Sequence, residues 1–125
     1  MLDFKQNSIF KLKPMNSSQV LPAITDFFIE DERIIAAFST VRDQLVFTNK
    51  RIVTANVQGV RGKKTDYTSI PYKHITTFSI ETAGTLDRDC ELEVYITAVG
   101  NIKFNIQSNF EIVKFNKIIS GFLLK

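Results

Sequence analysis

From Arg33 to Gln107 the chain alternates apolar and polar positions with a period of two, broken at short intervals by polar or glycine-containing stretches. Such alternation sends one set of side chains to water and the other to a core, the pattern of an antiparallel sheet or barrel. Strands are expected at 33–40, 43–48, 51–58, 64–70, 75–82, 90–97 and 101–107, each rich in β-branched or aromatic residues. The last two are the clearest: Cys90, Leu92, Val94 and Ile96 alternate with Glu91, Glu93, Tyr95 and Thr97, and Ile102, Phe104 and Ile106 with Lys103, Asn105 and Gln107. Gly100-Asn101, tolerant of positive φ, is expected to turn the chain between them. Pro71 ends the strand before it because it has no ladder donor. Over 75–82, Thr76, Phe78 and Ile80 fall on one face and Thr77, Ser79 and Glu81 on the other.

After residue 107 the period becomes helical. Ser108-Asn109-Phe110-Glu111 matches a capping box, and Phe115, Ile118, Ile119 and Phe122 follow at i, i+3, i+4 and i+7, with Phe110, Val113 and Leu123 near the same stripe. The helix is expected to plug the open mouth of the strand shell, where each large buried side chain contributes roughly 1.5–3 kcal/mol. A shorter helix is expected over 17–28, capped by Ser17 or Ser18, with Pro22 in its first turn and Val20, Ile24, Phe27 and Phe28 on its apolar face. Residues 1–16 read as an N-terminal extension without assigned structure, ahead of a single domain over 17–125.

Composition agrees with one folded unit: 125 residues, 44% hydrophobic and 23% charged. No apolar run approaches the ~20 residues that span a bilayer, and the first residues lack the pattern of a secretory signal. The single cysteine, Cys90, precludes an intrachain disulfide, and a zinc site built on cysteines would need ligands from partner chains. A cytoplasmic location is the expectation. The net charge of +3, from 16 Lys and Arg against 13 Asp and Glu, is spread along the chain rather than gathered on one face, so no nucleic-acid partner is expected.

Candidate chemistry is sparse. His74, the only histidine, is expected in an exposed turn, and Cys90 begins the core face of its strand. Asp87, Arg88 and Asp89 read as a solvated loop, and Glu91 and Glu93 can pair across strands with Lys103. Asn16-Ser17-Ser18 matches a glycosylation acceptor but, without an export signal, is read as chance. The run Gly59-Val60-Arg61-Gly62-Lys63-Lys64 lacks the spacing and the hydroxyl of a phosphate-cradling loop and is read as a hairpin connection. No catalytic, cofactor-binding or metal-binding residue is assigned. Two sets remain as interaction candidates. Lys50, Arg51, Arg61, Lys63 and Lys64 form a basic rim on loop tips. Thr65, Tyr67 and Ser69, with Thr77, Ser79 and Glu81, form polar outward strand faces able to pack against another subunit.

The run LVFTNKRIV at 45–53, followed by GVRGKKTDYTSIPYKHITTFSIETAG at 59–84, closely resembles the bacterial pleckstrin-homology family, and the resemblance extends over residues 20–124. It implies a mainly β fold: a pleckstrin-homology-like, seven-stranded antiparallel barrel or sandwich capped by a C-terminal α-helix. It further implies a non-enzymatic interaction module whose single-domain members assemble as ring-shaped homo-oligomers, typically pentamers, and contact protein partners. Lipid-binding pleckstrin-homology domains carry several basic residues in the loop between their first two strands. Residues 39–43 here hold only Arg42, which disfavours lipid capture in that mode and leaves peripheral binding through the basic loops as the alternative.

Overall fold

The computed structural model describes residues 8–58, 64–82, 89–107 and 111–125. The strands are β1 (Ser8–Pro14), β2 (Ile34–Ser39), β3 (Gln44–Thr48), β4 (Arg51–Gln58), β5 (Lys64–Pro71), β6 (Ile75–Thr82), β7 (Cys90–Ile96) and β8 (Gly100–Ile106). They join in one eight-stranded sheet of order β5-β4-β3-β2-β1-β8-β7-β6. Helices α1 (Pro22–Thr25) and α2 (Ile112–Leu123) and two 3-10 turns, at Ser17–Gln19 and Tyr72–His74, complete the described elements.

The seven strands expected from the alternation are all present. The eighth, β1, lies within the stretch 1–16, to which the pattern assigns no structure. Its first part runs parallel to β8, with Ser8 opposite Lys103 and Leu12 opposite Ile106, and its last residues run antiparallel to β2, with Lys13 opposite Ser39. The strand therefore hands over from one half of the sheet to the other, and the antiparallel arrangement acquires one parallel neighbour. The sheet does not close into a barrel, because β5 and β6 are its two ends.

The principal core lies between the halves. Phe38, Leu45, Phe47 and Ile52 from one half meet Leu92, Val94, Ile102, Phe104 and Ile106 from the other, with Leu12 at the handover. Phe115 and Ile119 of α2 enter this core, and the rings of Phe38, Phe47 and Phe115 pack edge to face with centroids 4.9–6.0 Å apart. The plug expected from the helical stripe is thus in place, with two amendments. The helix begins at Ile112 with Glu111 as its N-cap, later than the capping box at 108–111 implies, and residues 108–110 of that box lie outside the described residues. Ile118, expected on the buried stripe, is 38% exposed, while Ile112 takes a place against the core. In an α-helix of 3.6 residues per turn the stripe centred on Phe115 and Ile119 is completed by 112, 122 and 123, not by 118.

A second apolar cluster covers the opposite face of β2–β4. Val46, Val53 and Ala55 point away from the main core and are buried under Val20 and Ile24, with Met15, Leu21 and Phe28 alongside. The segment that supplies these residues is not the continuous helix expected over 17–28. It is a 3-10 turn, capped reciprocally by Asn16 and Gln19, followed by the single turn of α1. Pro22 explains the break, since it contributes no amide hydrogen, and the Leu21 amide donates instead to Gln44 Oε1 at 2.9 Å. A short irregular strap thus crosses the sheet, and Phe27, expected on its apolar face, is half exposed.

Two local details also differ from the alternation. The β7–β8 turn is Thr97-Ala98-Val99, with Ala98 at φ 67° and Gly100 at φ 125°, and Asn101 already pairs with Tyr95 in the ladder. In β6 the register shifts between Ile75 and Thr77, a bulge that lets both Ile75 and Phe78 face the core and puts Thr76 outside. Thr76 instead shares a 2.6 Å hydroxyl contact with Thr97.

Candidate interaction surfaces

The β3–β4 hairpin, at the centre of the LVFTNKR motif, is held by a polar cluster. Thr48 Oγ1 accepts from the amides of Lys50 and Arg51 at 3.0 and 2.9 Å and donates to Glu32 Oε2 at 2.7 Å. Arg51 donates through Nε to Glu32 Oε2 at 2.9 Å and through Nη2 to Glu32 Oε1 and the Phe27 carbonyl, both at 2.8 Å. Asn49 clasps the strap's end, accepting from the Arg33 amide at 2.7 Å and donating to the Asp31 carbonyl at 2.9 Å. Beneath them the phenol of buried Tyr72 donates to the Thr48 carbonyl at 2.5 Å. The Glu32 side chain is 0% exposed and that of Arg51 20%. Burial by itself would raise the Glu32 carboxyl, but hydrogen bonds from Arg51, Thr48 and the Ile29 amide, with the guanidinium charge, outweigh it and hold the carboxyl below its usual value. Burial and the Glu32 carboxylate push the Tyr72 phenol well above its usual range.

This cluster divides the basic rim. Arg51 is occupied in fastening the strap to the hairpin rather than offered to an anionic surface. Lys50 and Lys64 are exposed, and Arg61 and Lys63 lie outside the described residues. The structure instead places Lys13 beside the β2–β3 loop, where Lys13, Ser39, Thr40, Val41, Arg42, Asp43 and Gln107 line a cleft of about 600 Å³. The sequence hid this juxtaposition because Lys13 belongs to β1, whose pairing with β2 is not written in any local period.

The two polar strand faces have different surroundings. Thr65, Tyr67 and Ser69 stand on β5 opposite Val57, Ala55 and Val53, on the side covered by the strap. Tyr67 is half-buried there, its ring edge-on to Phe27 at 5.2 Å. Thr77, Ser79 and Glu81 are exposed on β6, continuous with Tyr95, Glu93 and Glu91 of β7 and with Asn101, Lys103 and Asn105 of β8. Lys103 approaches Glu93 at 3.9 Å, as expected, whereas Glu91 lies directly opposite Glu81. The two sets therefore belong to the two end strands of the open sheet. The outward side of α2 is a further surface that the sequence reading passes over, with exposed Val113, Lys114, Lys117 and Leu124.

Little of this arrangement resembles a reaction centre. His74 is exposed at the end of its 3-10 turn. Cys90 is buried, its thiol pushed up to about 11 by burial and then by the neighbouring Asp89 carboxylate. Among the described residues no group of three or more His, Cys, Asp or Glu side chains is placed to hold a metal ion, and no helix is long and apolar enough to cross a membrane. The charged loop at Asp87 and Arg88 lies outside the described residues.

A family model for the bacterial PH domain matches residues 3–123 of the chain. The chain is 45% identical over 83 residues to the uncharacterized protein YjqA of Bacillus subtilis (strain 168), a stretch that covers 66% of each protein. It is 34% identical over 84 residues to the uncharacterized protein YozO of the same organism, covering 67% of this chain and 70% of YozO. Among solved structures, a DUF1696 family protein with a pleckstrin-homology domain from Shewanella loihica PV-4 superposes with a TM-score of 0.76 at 34% identity, over 90% of this chain and 97% of that one. A pleckstrin homology domain from Shewanella amazonensis SB2B gives 0.61 at 36% identity, over 82% and 84%. A PH-domain-containing protein from Exiguobacterium sibiricum 255-15 shares the fold, with a TM-score of 0.66 at 20% identity over 92% and 62%. With the eight-stranded sheet, its plugging helix and the LVFTNKR hairpin all in view, the chain belongs to the bacterial PH-domain family.

Proposed function

We propose that this protein is a non-enzymatic interaction module of the cytoplasm that self-associates head to tail into a ring-shaped homo-oligomer, a pentamer by family resemblance, and meets a protein partner through polar strand faces. The observation that carries this reading is the open sheet: β5 and β6 stand at its two ends, and among the described residues each pairs on one side only. Open strand ends invite another chain, and natural proteins keep them soluble with polar side chains or cover them by assembly. Here the two ends carry different residues, so a contact joining one end to the other is heterologous, and rotation about an axis closes such contacts into a ring. Size-exclusion chromatography with light scattering is the test. The expected result is a single species whose mass is a small multiple of one chain, and a species of one-chain mass at every concentration overturns the reading.

The cleft that brings Lys13 to the Arg42 loop supports a second reading, peripheral binding to anionic lipid headgroups. Flotation with vesicles of equal parts phosphatidylserine and phosphatidylcholine tests it. Binding should survive physiological salt and be lost in Lys13→Glu, whereas flotation at low salt alone marks unspecific attraction.

A further inference from the structure

We infer that the turn joining the strap to β2 is a docking site for a basic segment of another protein, one that carries an apolar anchor between lysine or arginine side chains. The site lies over the strap-covered face of β5 rather than along its free edge, so it is separate from the ring contact and does not depend on it. Phe27 is 50% exposed and Ile29, two positions on, 61%. Phe27 stands edge-on to the Tyr67 ring at 5.2 Å, so the apolar surface continues onto β5. This exposure is not that of a loose loop. The Phe27 carbonyl accepts from Arg51 Nη2 at 2.8 Å, and the Ile29 amide donates to Glu32 Oε1 at 3.0 Å. The Glu32 amide closes the turn on the Ile29 carbonyl at 3.1 Å, and Asn49 Nδ2 holds the Asp31 carbonyl at 2.9 Å. Asp31 sits at φ 62°, a conformation uncommon outside glycine that Asp tolerates better than most. The Arg51–Glu32 pair thus fixes the backbone beside two apolar side chains that it leaves in water. Anchors ordered before binding lose less freedom when a partner arrives. Apolar anchors inside a polar rim are the composition of a protein–protein contact.

The rim selects the partner. Asp26, Glu30 and Asp31 are exposed, and none forms an ion pair among the described residues. Residues 15–32 hold four acidic side chains and no Lys, Arg or His, in a chain whose net charge is +3. Arg33 and Lys50 lie on the hairpin side of the Asn49 clasp. Three free carboxylates around the anchors repel phosphate groups, which sets the site against nucleic acid and anionic membranes, and they draw lysine or arginine from a protein.

Selection of random linear peptides displayed on phage against the immobilised full chain tests this. Peptides with an aromatic or aliphatic residue flanked by Lys or Arg should be enriched at physiological salt, and a synthetic copy of one should bind in fluorescence polarisation. F27S/I29S and D26N/E30Q/D31N should each weaken that peptide roughly tenfold or more. Circular dichroism melts matching the wild type show that both variants fold. Should F27S/I29S melt early, Ile29→Ser alone, which leaves the Phe27–Tyr67 contact in place, carries the same expectation. No enrichment, enrichment of acidic or uncharged peptides, or an affinity unchanged in either variant overturns the inference. If a folded variant instead loses mass by light scattering, the turn is a contact between copies and the inference is overturned. If F27S/I29S loses flotation with phosphatidylserine-containing vesicles that the wild type shows, the turn is a membrane surface and the inference is likewise overturned. A wild-type chain of one-chain mass that still selects basic, apolar-anchored peptides overturns the ring reading and supports this one.

Discussion

Arg51 shows how much one side chain can commit to structure that the sequence presents as surface. In the run Thr48-Asn49-Lys50-Arg51 two adjacent cations look equivalent, yet Lys50 is exposed while Arg51 holds a carboxylate whose side chain is fully buried. Removing one partner of a buried ion pair leaves an uncompensated charge and typically costs about 3–5 kcal/mol. Arg51→Ala is therefore expected to lower the unfolding free energy read from urea titration by about 3–5 kcal/mol, and Lys50→Ala to leave it almost unchanged. The pair also makes an acid-sensitive contribution. Because the folded Glu32 carboxyl sits below its ordinary value of 4.5, the unfolded chain takes up that proton first as pH falls. The stabilisation is full above the ordinary value and is lost as pH drops through the lowered one. Glu32→Gln should remove this part of the acid limb in urea titrations taken across that window; an unchanged acid limb would show that the carboxylate is not held as described. The motif residues were legible as a hairpin, since Thr and Asn side chains next to a turn bond nearby backbone. The partner was not, because Glu32 lies outside the motif and reaches Arg51 only after the strap has crossed the sheet.

At the scale of elements, burial sorts residues that share one apolar pattern. Phe115 and Ile118 both fall on the helical stripe read from the sequence, but Phe115 is 5% exposed within an aromatic trio and Ile118 is 38% exposed. Phe115→Ala should cost about 3–5 kcal/mol through lost transfer energy and the cavity left behind. Ile118→Ala should stay within about 0.5 kcal/mol, as surface changes do. Thermal unfolding of the two variants at low protein concentration checks the contrast; equal losses would mean that α2 sits rotated about its axis. The strands from Arg33 onward were readable because each alternates over enough residues for its two faces to declare themselves. β1 was not, since its stretch is short and its partners are β8, far along the chain, and two residues' worth of β2. The strap was misread as a helix for a related reason. Val20, Ile24 and Phe28 repeat at helical spacing, but the surface they cover is the back of β2–β4, and Pro22 and Gln44 divide the backbone bonds differently.

For the whole molecule, the proposed joining of the two unlike sheet ends would make assembly part of stability. Anything that binds the folded subunit and not the unfolded chain raises apparent stability by mass action, another copy included. The melting temperature of the wild type should therefore climb with protein concentration, and a melting temperature independent of concentration would speak for a solitary subunit. The same scale marks the division between what the chain declares and what it conceals. By itself the sequence determined that the protein is mainly β with a terminal amphipathic helix, which residues face the core along most strands, and which family it resembles. These follow from local periodicity and from contiguous motifs, both carried by neighbours in the chain. Only the tertiary structure decided that β1 joins the halves of the sheet, that the strap buries a second face, that Arg51 belongs to Glu32, and that the ends of the sheet stay open. Each depends on contacts between residues distant in sequence, whose pairing is set by closure of the whole fold and leaves no periodic trace along the chain.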